Sequence, residues 1–130
     1  MAKVNNFEEL AVWQKARVLN KQIYTYTRRD EFKYDTRFVQ QIRAAAGSIM
    51  DNIAEGFERS GNKEFKNFLY IAKGSCGELR SQVIRAYDVG YLNEEEYASL
   101  HSECKILGSS ILNLILSIKD SDYKGPKYTL

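Results

Sequence analysis

The sequence predicts an all-α protein, an antiparallel up-down-up-down four-helix bundle, and three observations predict it. Apolar residues recur at steps of three and four along four long segments, the period of one helix face. The only proline is Pro126, so nothing upstream of it breaks a helix as proline would. The links between the segments are short and polar, and short links place consecutive helices side by side in opposite directions.

The first helix opens after Asn6, which with Glu9 three residues on has the form of a capping box, and runs to about residue 29. Val12, Ala16, Leu19, Ile23 and Tyr26 form its apolar stripe, widened by Leu10 and Trp13. Arg28 and Arg29 suit the negative end of its dipole. Residues 30–35 (DEFKYD) carry two aromatics that are expected to fold down on the bundle end. The second helix, about residues 36–59, is the element the chain is organised around. Phe38, Ile42, Ala45, Ile49, Ile53 and Phe57 make one apolar row, and Val39, Ala46 and Met50 a second. Two rows imply contact with more than one neighbour. The run Ala44, Ala45, Ala46, Gly47, Ser48 lets another helix approach closely, while Asn52 and Glu55 are polar groups that need partners if buried.

Ser60, Gly61 and Asn62 read as a turn. The third helix, about residues 63–89, keeps a heptad through Phe65, Ala72, Leu79 and Ala86, with Leu69, Cys76 and Val83 beside it. Gly74 and Gly77 each cost about 1 kcal/mol against alanine in mid-helix, which points to close backbone contact. Gly90 is placed for a left-handed cap, and Asn93 with Glu96 forms a second capping box. The fourth helix then carries Tyr97, Leu100, Cys104, Leu107, Ile111, Leu114 and Ile118 on one stripe. Its second half adds Leu112, Ile115 and Leu116, so it is apolar nearly all round and predicted to be covered on more than one side. Residues 1–120 are thus one bundle domain, and the polar residues 121–130 a flexible tail.

Composition narrows the function classes. Apolar residues at 44% and charged residues at 28% fit one globular domain, and the formal charge of +2 neither demands nor excludes an anionic partner. The charge is uneven: residues 1–43 carry nine Lys/Arg against five Asp/Glu, the remainder ten against twelve. The amino terminus lacks the apolar run of a signal peptide, and no segment reaches the roughly 18–20 apolar residues of a membrane span. Cys76 and Cys104 have no metal-ligand spacing and fall on core stripes, where thiols are inert. A reduced, soluble, cytoplasmic protein is expected.

Three segments, residues 7–19 (FEELAVWQKARVL), 41–65 (QIRAAAGSIMDNIAEGFERSGNKEF) and 71–79 (IAKGSCGEL), together resemble one family. It is the four-helix bundle proteins encoded within intervening sequences of bacterial large-subunit ribosomal RNA genes, to which the accessory variability protein of diversity-generating retroelements also belongs. The resemblance implies an antiparallel four-helix bundle assembled into a homopentameric ring. The retroelement member is basic, binds nucleic acid and associates with a reverse transcriptase. Members often carry two adjacent arginines where Arg43 is here followed by Ala44.

Lys66, Lys73 and Arg80, seven residues apart, line one face of the third helix, with Lys63 and Tyr70 in the next row and Arg59 just before the turn. Cations interleaved with an aromatic suit a phosphate backbone. Glu64 and Glu78 lie nearby, so a solvated face or a subunit contact is the competing interpretation. Lys15, Arg17, Lys21, Arg28 and Arg29 spread around the first helix without a stripe. Asp51, Glu55 and Glu58 share a face, but a di-iron bundle needs Glu-x-x-His pairs, and the only histidine, His101, has Ala98 three residues before it. Pairing of Glu55 with Arg43 or Arg59 of a neighbouring helix or subunit is expected instead. Gly74-Ser75-Cys76-Gly77 lacks the spacing and lysine of a phosphate-binding loop. The expected function is therefore non-enzymatic, without cofactor or metal: a homo-oligomeric, by resemblance pentameric, scaffold or accessory factor. It would engage nucleic acid or a nucleic-acid enzyme through Arg43, Lys63, Lys66, Lys73 and Arg80; the alternative is a structural or protein-binding assembly without nucleic-acid affinity.

Overall fold

A computed structural model describes residues 3–119 and the backbone of residues 128–129. Four helices dominate it: α1 (Ala11–Thr27), α2 (Thr36–Glu58), α3 (Asn62–Asp88) and α4 (Glu94–Ser117). Their order in space follows from pairs that face one another. Gln41, Ser48 and Gly56 of α2 meet Gln82, Ser75 and Phe68 of α3, so the two run in opposite directions. Tyr87 and Cys76 of α3 meet Tyr97 and Cys104 of α4, again reversed. Lys15 of α1 reaches Ser110 of α4, and Arg29 just past α1 pairs with Glu96. With α1 antiparallel to α4, α4 to α3 and α3 to α2, the bundle is up-down-up-down.

The core is the set of stripes the sequence lays out. Ile49, Ile53, Phe65, Leu69, Leu79, Val83 and Ile111 are wholly enclosed, each worth about 1.5–3 kcal/mol when moved from water. Both rows of α2 are consumed inside the bundle: Val39 and Ala46 are buried and Met50 partly so. The double row therefore reflects neighbours within the chain and does not itself require another subunit. At Gly56 α2 and α3 approach closely, because an added Cβ would lie 2.5 Å from the Phe68 Cβ. Gly74 and Gly77 were expected to play that part, yet both face outward with no atom within 4 Å of an added Cβ.

The ends show how local chemistry stops each helix. Both halves of the Asn93–Glu96 box form, at 2.8 and 2.9 Å. Glu9 accepts from the N–H groups of Asn5 and Asn6 at 3.1 and 2.7 Å, but it caps a 3-10 turn, Phe7–Glu9, and not the first helix. Leu10 then takes an extended conformation that buries its side chain, and α1, at 17 residues, starts later and is shorter than predicted. Asp35 caps α2 through Phe38 N–H, and Gly90 closes α3 at φ 86° with Tyr91 N–H donating to the Ala86 carbonyl at 2.8 Å, a Schellman turn. In the turn before α3 it is Ser60, not Gly61, that takes the left-handed conformation (φ 60°). Of the two aromatics in residues 30–35, Phe32 is buried and stacks on Tyr91 at 4.6 Å, whereas Tyr34 stays in solvent.

On α4 one position of the buried stripe is exchanged, with Ile115 enclosed and Leu114 only partly, while Ile118 stays buried as predicted. Leu116 is 72% exposed, so the apolar end of α4 is not covered all round by the described residues. Within the expected tail, Tyr128–Thr129 pairs antiparallel with Lys3–Val4, Thr129 opposite Lys3 and Tyr128 opposite Val4; the remainder of that expectation lies outside the described residues.

Candidate nucleic-acid interface

The groove between α3 and α4 gathers three cations. Lys73 and Arg80 project from α3 and Lys105 from α4, around a cleft of about 280 Å³ whose other walls are Cys76, Gly77, Cys104, Gly108, Ser109 and Leu112. No carboxylate lines it, and none of the three cations is in an ion pair with a described residue. An unneutralised cluster on two helices is a local positive field that an anion can answer. The floor is thin because Gly77 and Gly108 bring helix backbone to the surface. The two thiols beneath it are closed chemistry. Burial raises Cys76 to about 11, with Arg80 and Lys73 pulling weakly the other way, and raises Cys104 to about 12. Cys76 Sγ–H donates to the Cys104 carbonyl at 3.1 Å. Both thiols stay protonated near neutral pH.

The remaining predicted cations divide. Lys63 and Lys66 stand on the first turns of α3 and do not line this groove, Lys63 exposed and Lys66 half-buried. Arg43 does not join them. Its Nε donates to Thr27 Oγ1 at 3.0 Å and its guanidinium lies 4.3 Å from the Tyr24 ring, in the α1–α2 groove on the opposite side of the bundle. Arg59, the residue that closes α2, pairs with Glu55 one turn before it at 2.9 Å and with Glu64 of α3 at 3.8 Å, so within the chain Glu55 finds its arginine on its own helix end and not on a neighbouring helix. Asn52 finds its partners in the Ser48 carbonyl and hydroxyl, and Ser48 in turn meets Ser75 of α3 at 2.9 Å. Of the five cations around the first helix, Lys15 and Arg29 reach across to Ser110 and Glu96 of α4, Arg17 lies over Trp13 and Arg28 over Tyr24, while Lys21 is exposed. Among the described residues no group of three His, Cys, Asp or Glu side chains could hold a metal ion.

Lys105, Ser109 and Gly108 escaped the sequence reading, as did the stacking of Tyr87 on Tyr97 at 4.4 Å, with His101 5.4 Å beyond. The signal was present in the paired core cysteines: once Cys76 is set opposite Cys104, the next residue, Lys105, falls on the rim facing Lys73 and Arg80.

A family model described as 23S rRNA-intervening sequence protein matches residues 8–113. The chain belongs to that family. No curated protein matches this family member. Among solved structures it is similar to a Bacteroides thetaiotaomicron protein of unknown function from the S23 ribosomal protein family, with a TM-score of 0.75 and 20% identity over 82% of this chain and 96% of that one. At that identity the likeness shows the shared fold, four packed helices. No helix among the described residues of this 23S rRNA-intervening sequence protein is long and apolar enough to cross a membrane.

Proposed function

We propose that this 23S rRNA-intervening sequence protein is a non-enzymatic, homo-oligomeric scaffold or accessory factor, working in the cytoplasm without a cofactor, that engages nucleic acid or a nucleic-acid enzyme. The observation that carries the nucleic-acid part is the α3–α4 groove, where Lys73, Arg80 and Lys105 converge without a carboxylate among the lining residues. Lys63 and Lys66 extend the same cationic track along α3. Phosphate contacts of this kind supply affinity without sequence information. Self-association is supported by apolar side chains left in solvent by the single chain: Val18, Ile71, Val89, Ile106 and Leu116. A pentamer is the assembly that the family resemblance implies.

The second reading, a protein-binding assembly without nucleic-acid affinity, is favoured by the α1–α4 groove, where Val18 and Ile106 flank a largely apolar cleft of about 370 Å³. One experiment separates the two. Labelled structured RNA and duplex DNA are titrated with wild type and with a Lys66/Lys73/Arg80 triple-alanine variant, and the oligomeric state is followed by light scattering. Binding that the variant loses at unchanged oligomeric state supports the first reading; absence of binding at low salt selects the second. A monomer at micromolar concentration removes the oligomer from both.

A further inference from the structure

Lys66, Tyr70, Lys73, Gly77, Arg80, Ile84 and Tyr87 follow one another at alternating steps of four and three, so they form a single row along α3. Opposite them on α4, Tyr97, His101, Lys105 and Ser109 recur every four residues. The two rows meet along the α3–α4 seam from Lys73 to Tyr87, and the α3 row continues beyond it to Tyr70 and Lys66. Tyr70 stands half in solvent at one end, 52% exposed. The three cations and the glycine floor occupy the middle. The stacked rings of Tyr87 and Tyr97, extended by His101, close the other end.

We infer that this seam is a track for one strand of nucleic acid: phosphates run over Gly77 and Gly108 between Lys73, Arg80 and Lys105, and bases stack on Tyr70 at one end and on the Tyr87–Tyr97 end at the other. The inference rests on the nucleic-acid reading above and narrows it to single strands. Width is the reason. Packed helices lie roughly 8–10 Å apart, so the furrow between two of them admits one sugar-phosphate chain and leaves a duplex on its rims. Aromatic platforms on a cationic groove are what unpaired bases use, since every base has a face to stack and a paired base keeps its face inside the duplex. The glycines fit the same account. A Cβ added at Gly77 would meet nothing within 4 Å, so no packing contact requires the glycine, which costs helix stability, whereas a strand laid on bare backbone needs the absence of a side chain there. From Tyr70 to Tyr87 the row spans about 25 Å at the helical rise, enough for a short site of a few nucleotides.

The test is fluorescence anisotropy with labelled oligo(dT), oligo(U) and a duplex of equal length, on wild type and on Lys105→Ala, Gly77→Leu and Tyr70→Ala, with melting temperature and oligomeric state measured for each. The Cβ of Gly77→Leu enters open space, so the substitution starts from the exposed floor and plugs the furrow from outside the core. The expected result is tighter binding of single strands than of duplex by wild type. Each variant should then lose single-strand affinity by about tenfold or more at unchanged assembly, consistent with the value of one stacked base or one phosphate contact. If Gly77→Leu and Lys105→Ala bind strands like wild type while the Lys66/Lys73/Arg80 variant does not, the strand lies elsewhere on α3: the nucleic-acid reading stands and this inference falls. Equal loss of duplex and single-strand binding would make the groove a general anion site and overturn the single-strand assignment. If no probe binds at low salt, the broader reading fails and takes this one with it. Comparison of oligo(dT) with oligo(U) tells DNA from RNA within the supported outcome.

Discussion

Gly56→Ala and Gly77→Ala are the same chemical change in two long helices and are expected to act in opposite directions. At Gly56 the new methyl would sit 2.5 Å from the Cβ of Phe68 and 3.3 Å from Phe65 Cδ1. The Phe68 Cβ is anchored to its backbone and cannot rotate away, so α3 must move off α2 by about 1 Å to restore van der Waals distance, loosening the edge-on Phe57–Phe65 contact beside it. Overpacking of that kind costs about 1–3 kcal/mol, and the better helix propensity of alanine returns at most about 1 kcal/mol. A net loss of about 1–2 kcal/mol should lower the melting temperature by roughly 4–8 °C for a chain of this size. At Gly77 the methyl meets nothing within 4 Å, so the propensity gain stands alone and stability should rise by up to about 1 kcal/mol. Circular dichroism melts and urea titrations on both variants are the assay. A Gly56→Ala protein as stable as wild type would refute the close approach of α2 and α3 at that point. A Gly77→Ala protein that is strongly destabilised would refute the open groove floor.

Three further outcomes follow from the same geometry. Glu96 is held below its usual range by its bond to Arg29, helped by Asn93 N–H, so its folded pKa lies under the unfolded value of about 4.3. That contribution is present above the unfolded value and is lost as pH falls through the folded one. Glu96→Gln should therefore flatten the acid limb below about pH 4.5 and cost about 1 kcal/mol at neutral pH, a figure kept small because Arg29 is partly in solvent; urea midpoints from pH 3 to 7 check it. Cys76 and Cys104, raised to about 11 and about 12 by burial, should resist iodoacetamide at pH 8 in the native protein and both react in denaturant, read by intact mass. Ser60→Gly should stabilise by about 0.5–1 kcal/mol, because Ser60 holds φ 60° where glycine is unstrained; an unchanged melting temperature would contradict that conformation.

Most of the architecture was legible because it is periodic. The stripe of α3 is where the heptad puts it and that of α2 where steps of three and four put it, and Asn93 with Glu96 marks the start of α4 by local chemistry alone. Misses occur where the third dimension decides. The exchange of Leu114 for Ile115 is the drift of about 20° per heptad between a straight helix and a seven-residue repeat, accumulated along α4. Which glycine marks a close crossing depends on the facing residue, Phe68, and no pattern within α2 or α3 names it. The site shows the same division. Lys73 and Arg80 are visible as a stripe on one helix, but Lys105 joins them only once α4 is laid antiparallel against α3. Arg43 looked equally suitable in sequence, and it is Thr27 and Tyr24, sixteen or more residues away in the chain, that claim it.

The central claim, that this bundle offers nucleic acid an electrostatic platform, is tested most directly by the salt dependence of binding. Single-strand affinity is measured for the wild-type protein at several salt concentrations, and log K is plotted against log salt. With three to five cations engaged along α3 and Lys105, and about 0.7 counterions released per phosphate on a single strand, the slope should lie at about −2 to −3.5. A slope near zero, or no binding at low salt, would contradict the claim and leave the protein as an assembly whose partner is another protein.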